Sequence, residues 1–221
     1  MVKIAPSILA GDHGNLAAEA RKVESFGADW IHIDIMDGEF APNLTFGPGA
    51  VKAIRNAVKI PLDCHLMINR PERFVETFAE AGGDYITVHV ETVTEESLRT
   101  IERLISKNDK KLGVAFKPST ELSCLQLSEI DVSLVTIMTV NPGFSGQKFM
   151  PEVLYKIDEA KRSFRSRGTE IEVDGGIDLS NSRSVCERGA TVLVAGNSIF
   201  GQLDQKKAFE DLKKIASLYN N

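Results

Sequence analysis

The residues best suited to chemistry lie in three short segments of alternating polarity. In Trp30-Ile31-His32-Ile33-Asp34-Ile35-Met36, a strand's period of two puts His32, Asp34 and Met36 on one face and three isoleucines on the other. Leu62-Asp63-Cys64-His65-Leu66-Met67 repeats the device with Asp63, His65 and Met67, and Ile171-Glu172-Val173-Asp174 carries Asp174 to its end. Taken singly, an inward histidine is a hydrogen-bonded core residue and a terminal aspartate a helix cap. Together on one face, so many ionisable groups are costly to bury unless something pairs with them. A divalent cation would do so: His32, Asp34, His65 and Asp174 are a His₂Asp₂ set suited to Zn²⁺, Fe²⁺, Mn²⁺ or Co²⁺ rather than to oxygen-only Ca²⁺. Two carboxylates facing each other across a bound substrate also suit inversion at carbon, one removing a proton and the other returning one, with the cation stabilising the enediolate.

A phosphate handle is expected beside them. Asn141-Pro142-Gly143-Phe144-Ser145-Gly146-Gln147 is a glycine-rich loop whose backbone N–H groups can cradle an anion. Gly175-Gly176 and Gly196-Asn197-Ser198 follow the next two strand-like runs, the latter opening a short helical turn. Met36, Met67 and Met138 share inward parity at strand ends, as core fillers or as an apolar lid that limits water around the reacting centre. Ser7 is placed to donate to a substrate hydroxyl or to cap its own loop.

These segments need a frame that gathers them. Eight apolar, β-rich runs are expected as strands: Val2–Ile8, Trp30–Ile35, Pro61–Met67, Tyr85–His89, Lys111–Phe116, Val132–Val140, Glu170–Asp174 and Thr191–Ala195. Helical periodicity separates them. Gly27, Gly82 and Gly189 read as helix C-caps, and Pro71 and Pro151 as the starts of the helices after the third and sixth strands. Strict alternation closes most naturally into one α/β domain spanning 1–221, a TIM (β/α)₈ barrel, whose sites lie at the C-terminal strand ends. An open doubly wound sheet is disfavoured because no GxGxxG follows the first strand.

Composition agrees. The 221 residues are 43% hydrophobic and 26% charged with a net charge of −5, and no Lys/Arg run exceeds two residues, so neither nucleic acid nor an anionic membrane is an expected partner. Nothing reads as a spanning helix or a signal peptide, and a soluble, cytoplasmic protein is expected. Three scattered cysteines lack a metal or redox spacing.

The motifs APSIL, WIHIDIMDGEFAPN, PLDCHLM, ITVHVE, VNPGFSGQKF, EVDGG and VAGNSIF, in that order along the chain, resemble the ribulose-phosphate 3-epimerase family from end to end. The resemblance implies a ribulose-phosphate-binding barrel that acts as a homo-oligomer on a small sugar phosphate, interconverting D-ribulose 5-phosphate and D-xylulose 5-phosphate. It implies that His32, Asp34, His65 and Asp174 ligate the metal, that Asp34 and Asp174 are also the acid/base pair, and that Ser7 and His65 touch substrate. Gly143, Phe144, Ser145, Gly146, Gly175, Gly176, Gly196 and Asn197 would then hold the phosphate end. Ser145, Asn197 and Lys117 depart from residues common in that family, changes that bear on substrate preference more than on chemistry. The rivals are an allulose-6-phosphate 3-epimerase of the same family, a related decarboxylase or synthase, and a barrel that only binds a phosphorylated ligand. The second lacks support because those enzymes use an Asp-x-Lys-x-x-Asp strand end and strand two has no lysine here.

Overall fold

The computed structural model describes all residues except 125, 126, 128, 165–167, 220 and 221, and no expected site residue falls among these. Its strands are β1 (Lys3–Pro6), β2 (Ile31–Met36), β3 (Leu62–Met67), β4 (Tyr85–His89), β5 (Lys111–Phe116), β6 (Leu134–Met138), β7 (Glu170–Asp174) and β8 (Val192–Ala195). They form one parallel sheet in the order β1-β8-β7-β6-β5-β4-β3-β2. A parallel bridge between Ser7 and His32 and the bond from Asp29 N–H to the Ile4 carbonyl, 3.1 Å, draw the two ends of the sheet together. The expected strands are all present, although those expected to run through Val2–Ile8 and Val132–Val140 are shorter. Pairing stops where Ser7 turns into a 3₁₀ segment and where the chain beyond Met138 swings over the barrel mouth.

Parity sorts the side chains into two cores. Outward residues such as Ile31, Ile33, Leu62, Cys64, Ile86, Val114, Ile137, Val173 and Leu193 pack under the helices. Inward Ala5, Trp30, Tyr85, Leu134, Val192 and Val194 form an apolar plug inside the ring, with Trp30 and Tyr85 stacked at 4.4 Å. Above this floor the inward positions turn polar. His32, Asp63, Thr87, Thr136 and Glu172 make a fully buried layer, and Gly113 leaves it room: a Cβ there would lie 2.2 Å from Thr87 Oγ1.

The helices are α1 (Leu16–Phe26), α2 (Pro48–Arg55), α3 (Val75–Ala81), α4 (Glu95–Ser106), α5 (Tyr155–Phe164), α6 (Ser182–Arg188), α7 (Asn197–Phe200) and α8 (Gln205–Ala216). Gly27, Gly82 and Gly189 end α1, α3 and α6 in the left-handed region, as expected. Two expectations need correction. Pro71 and Pro151 open 3₁₀ turns (Pro71–Arg73, Pro151–Val153), and the α-helices begin only at Val75 and Tyr155. The alternation is also not strict, since between β5 and β6 the described residues hold only a 3₁₀ turn, Leu122–Cys124. Fully buried Lys156 of α5 reaches into that connection and donates to the carbonyls of Lys117, Pro118 and Thr120 at 3.2, 2.7 and 2.6 Å. One ammonium thus satisfies carbonyls that a helix would otherwise pair. No helix among the described residues is long and apolar enough to cross a membrane.

Candidate active site

β2, β3 and β7 deliver the four expected residues to one point at the C-terminal end of the barrel. His32 Nε2 lies 3.3 Å from Asp34 Oδ1 and 3.7 Å from Asp174 Oδ2, and His65 Nδ1 is 3.5 Å from each of those oxygens. All four candidate ligand atoms fall within 4.8 Å of one another. Both histidines are wholly buried, while Asp34 and Asp174 retain 5% and 9% exposure. These separations exceed good hydrogen-bond lengths, and both nitrogens are buried without a hydrogen-bond partner. They do match the edge of a tetrahedron of ligands about 2.0–2.1 Å from a centre, about 3.3 Å. Two orphaned imidazole lone pairs facing two carboxylates therefore fit a divalent cation as donors, and this set could hold one.

Each imidazole's other nitrogen is engaged. His32 Nδ1 is 2.7 Å from Asp63 Oδ2, and Asp63 Oδ1 accepts from Thr87 at 2.8 Å. His65 Nε2 is 3.0 Å from His89 Nε2, and His89 Nδ1 is 2.9 Å from Glu91 Oε2. Such outer partners orient metal-binding rings. Sequence reading missed His89 and Glu172. Inward parity along Tyr85-Ile86-Thr87-Val88-His89 and along Ile171-Glu172-Val173-Asp174 was the available signal. Glu172 accepts from Thr136 at 2.9 Å, and its other oxygen lies 3.7 Å from His32 Nδ1.

The electrostatics follow from burial and these neighbours. Burial disfavours a His65 imidazolium, but the Asp174 and Asp34 carboxylates beside its Nδ1 raise it to about 9. His32 is likewise raised despite its burial, by Asp34, Glu172 and Asp63. Burial favours a neutral Asp34, yet His32 and His65 overcome this and hold it well below the usual carboxylate range. Glu172 is pushed up to about 7 by burial and then by Asp63's charge. Burial pulls His89 down to about 4, so it is neutral at physiological pH.

Above the cluster opens a cavity of about 790 Å³ lined by Ser7, Asp34, Met36, Met67, Met138, Gly143, Phe144, Ser145, Gly146, Asp174, Gly175, Gly176, Gly196 and Asn197. All the expected loop residues and methionines therefore share one wall system, with His32 and His65 behind it. Ser7 does not cap its loop; its hydroxyl donates to Asp34 Oδ2 at 2.6 Å. The loop after β6 crosses to the others: Ser145 Oγ lies 3.5 Å from where a Cβ of Gly196 would stand. Asn43 Nδ2 donates to the Gly143 carbonyl, 2.9 Å, and Gln147 Nε2 to those of Asn141 and Phe144, 2.7 and 3.0 Å. Gly175, at φ +128°, lets the β7 turn run against β6's extension, since its Cβ would stand 2.8 Å from Val140 N.

Among solved structures, a 3-hexulose-6-phosphate synthase from Salmonella typhimurium is similar at TM-score 0.74 with 17% identity, covering 99% of this chain and 100% of the other. A 3-keto-L-gulonate-6-phosphate decarboxylase from Vibrio cholerae O1 reaches 0.73 with 16% identity, covering 100% and 99%. At such identities the likeness is one of fold. Sequence relatives are nearer. Ribulose-phosphate 3-epimerases from Bacillus subtilis and Synechocystis sp. are 46% and 44% identical over 96% of this chain, covering 99% and 93% of their own lengths. That of Escherichia coli K12 is 41% identical, covering 95% of this chain and 94% of its own. The Ribulose-phosphate 3 epimerase family profile matches residues 3–200, and with these identities over nearly the whole length the chain belongs to the ribulose-phosphate 3-epimerase family.

Proposed function

We propose that the protein interconverts D-ribulose 5-phosphate and D-xylulose 5-phosphate by taking the C3 proton from one face and returning a proton to the other. Family membership supports the reaction class. The observation that carries the mechanism is the convergence of the Asp34 and Asp174 carboxylates on two unpartnered imidazole nitrogens at the floor of an open cavity. A divalent cation bound by His32, Asp34, His65 and Asp174, whether Zn²⁺, Fe²⁺, Mn²⁺ or Co²⁺, would supply Lewis-acid stabilisation of negative charge on the substrate oxygens.

The chain's own residues do the rest. Asp34, ionised at neutral pH and steadied by the Ser7 hydroxyl, accepts the C3 proton of one epimer. Asp174, arriving from β7, delivers a proton from the opposite side, and the roles reverse for the other epimer. Met36, Met67 and Met138 line the cavity beside the carboxylates and limit water there. Gly143, Phe144, Ser145 and Gly146, with Gly175, Gly176, Gly196 and Asn197, present backbone N–H groups to the phosphate. A cytoplasmic homo-oligomer belongs to the same reading. Among relatives, the rice protein is a cytoplasmic isoform and that of Arabidopsis thaliana is chloroplastic.

The test is deuterium wash-in. In D₂O the protein should exchange the C3 hydrogen of ribulose 5-phosphate, and Asp174→Asn should lower epimerisation by roughly 10²–10⁴-fold or more, the range of an acid/base group. Absence of exchange in the native protein would leave only a phosphate-binding barrel, and a large preference for allulose 6-phosphate would assign the hexulose instead.

A further inference from the structure

Resting on the metal-centre reading, two side chains behind the candidate ligand His65 decide where a proton can sit on it. Glu91 is the outer one. As a carboxylate it can only accept: Oε1 takes the backbone N–H of Lys117 at 2.8 Å, Oε2 lies 2.9 Å from His89 Nδ1, and the Thr120 side chain adds a further hydrogen bond. The His89 proton must therefore reside on Nδ1. With Nδ1 donating to Glu91, Nε2 is left to accept, and the partner it faces among the described residues is His65 Nε2 at 3.0 Å. Two lone pairs at that distance repel, so His65 must carry a proton on Nε2 and donate it.

The consequence falls at the far side of the His65 ring. Its Nδ1 needs no proton of its own and points between Asp34 Oδ1 and Asp174 Oδ2. The reverse polarity, with Nε2–H on His89, would force a proton onto His65 Nδ1 at the place of the cation and set a lone pair against Glu91. The rings are held for this exchange: those of His65 and His89 stack at 5.0 Å and 23°. Phe40 covers His89 at 4.6 Å, with the Lys117 ammonium over its outer face at 3.7 Å.

We propose that His89 and Glu91 are positioning residues that set the tautomer of His65, leaving its Nδ1 lone pair free for the divalent cation. Neither lines the cavity above the carboxylates. Glu91→Gln is the discriminating variant because it is isosteric. The Lys117 N–H claims the new amide oxygen, so the NH₂ turns to His89 Nδ1 and reverses the polarity. His89→Leu removes the acceptor altogether, whereas His89→Gln can offer an amide oxygen in the place of Nε2.

The experiment measures the Zn²⁺ dissociation constant by chelator competition and histidine ¹⁵N shifts of the Zn²⁺-loaded protein, with thermal melts to confirm folding. Glu91→Gln and His89→Leu should weaken Zn²⁺ by roughly 10–100-fold, the usual effect of losing an outer partner, and His89→Gln should recover much of it. The native spectrum should show N–H at Nδ1 of His89 and at Nε2 of His65. Native-like affinity in folded Glu91→Gln, or a native His89 protonated at Nε2, overturns the proposal. Native protein that binds no Zn²⁺ removes the metal centre itself, an outcome separable from failure of the relay because it appears before any substitution.

Discussion

His65 meets two demands at once, a donor at Nε2 and an open lone pair at Nδ1, and its protonation is where residue-scale behaviour should be visible. In the metal-free protein its folded value of about 9 exceeds the roughly 6.5 of a free imidazole. A raised value means that its stabilising contribution is full below about 6.5 and is lost as pH rises through about 9. Metal-free protein should therefore lose thermal stability between those pH values, by scanning calorimetry. The cation must displace that proton, so Zn²⁺ affinity should climb over the same window and binding should release protons, measurable in buffers of different ionisation enthalpy. A metal-free melting point that rises over this interval would contradict the assignment.

At the scale of elements, the site depends on where loops can approach one another. Gly175 stands at φ +128° with Val140 N 2.8 Å from its absent Cβ, so a side chain would push the β7 turn off the β6 extension. Gly175→Ala should raise KM for the sugar phosphate at least tenfold and lower stability by about 1–3 kcal/mol, the cost of a strained backbone residue. Steady-state kinetics with a denaturant titration would check both. Lys156 plays a different part. Its ammonium binds three carbonyls of the β5–β6 connection, and Lys156→Met would leave buried acceptors unpaired. A loss of at least about 3 kcal/mol is expected, with KM close to native, since each of the three unsatisfied carbonyls costs about 1–3 kcal/mol.

For the whole molecule, the barrel joins an apolar plug of Ala5, Trp30, Tyr85, Leu134, Val192 and Val194 to a mouth crowded with ionisable groups. That upper half is expensive to fold without a counter-charge, so cation binding should stabilise the entire cooperative unit. At a free Zn²⁺ concentration 100 times Kd the gain is about 2.7 kcal/mol, or roughly 5–10 °C in a domain of this size. Chelation should reverse it and abolish turnover; a melting point indifferent to chelator would argue that the four residues hold no ion.

Strand number, the inward faces of β2, β3 and β7, and the C-cap glycines were legible from local pattern, because side-chain alternation and left-handed caps are set by neighbouring residues alone. The His₂Asp₂ set could be read in the same way once the strands were taken to form a ring. Register decided the remainder. Pairing of His65 with Thr87 and of His32 with Asp63 across β2, β3 and β4 brings Asp63 under His32 and His89 against His65, and no local pattern records how far one strand slides along the next. Lys156 gave no local signal either, since a lysine on an amphipathic helix is ordinarily exposed and only the folded β5–β6 connection supplies its three carbonyls. Sequence alone thus determined which groups face the barrel axis, through the geometry of single strands. Tertiary structure alone decided which of them touch, because contacts between strands depend on register and closure that act over the whole chain.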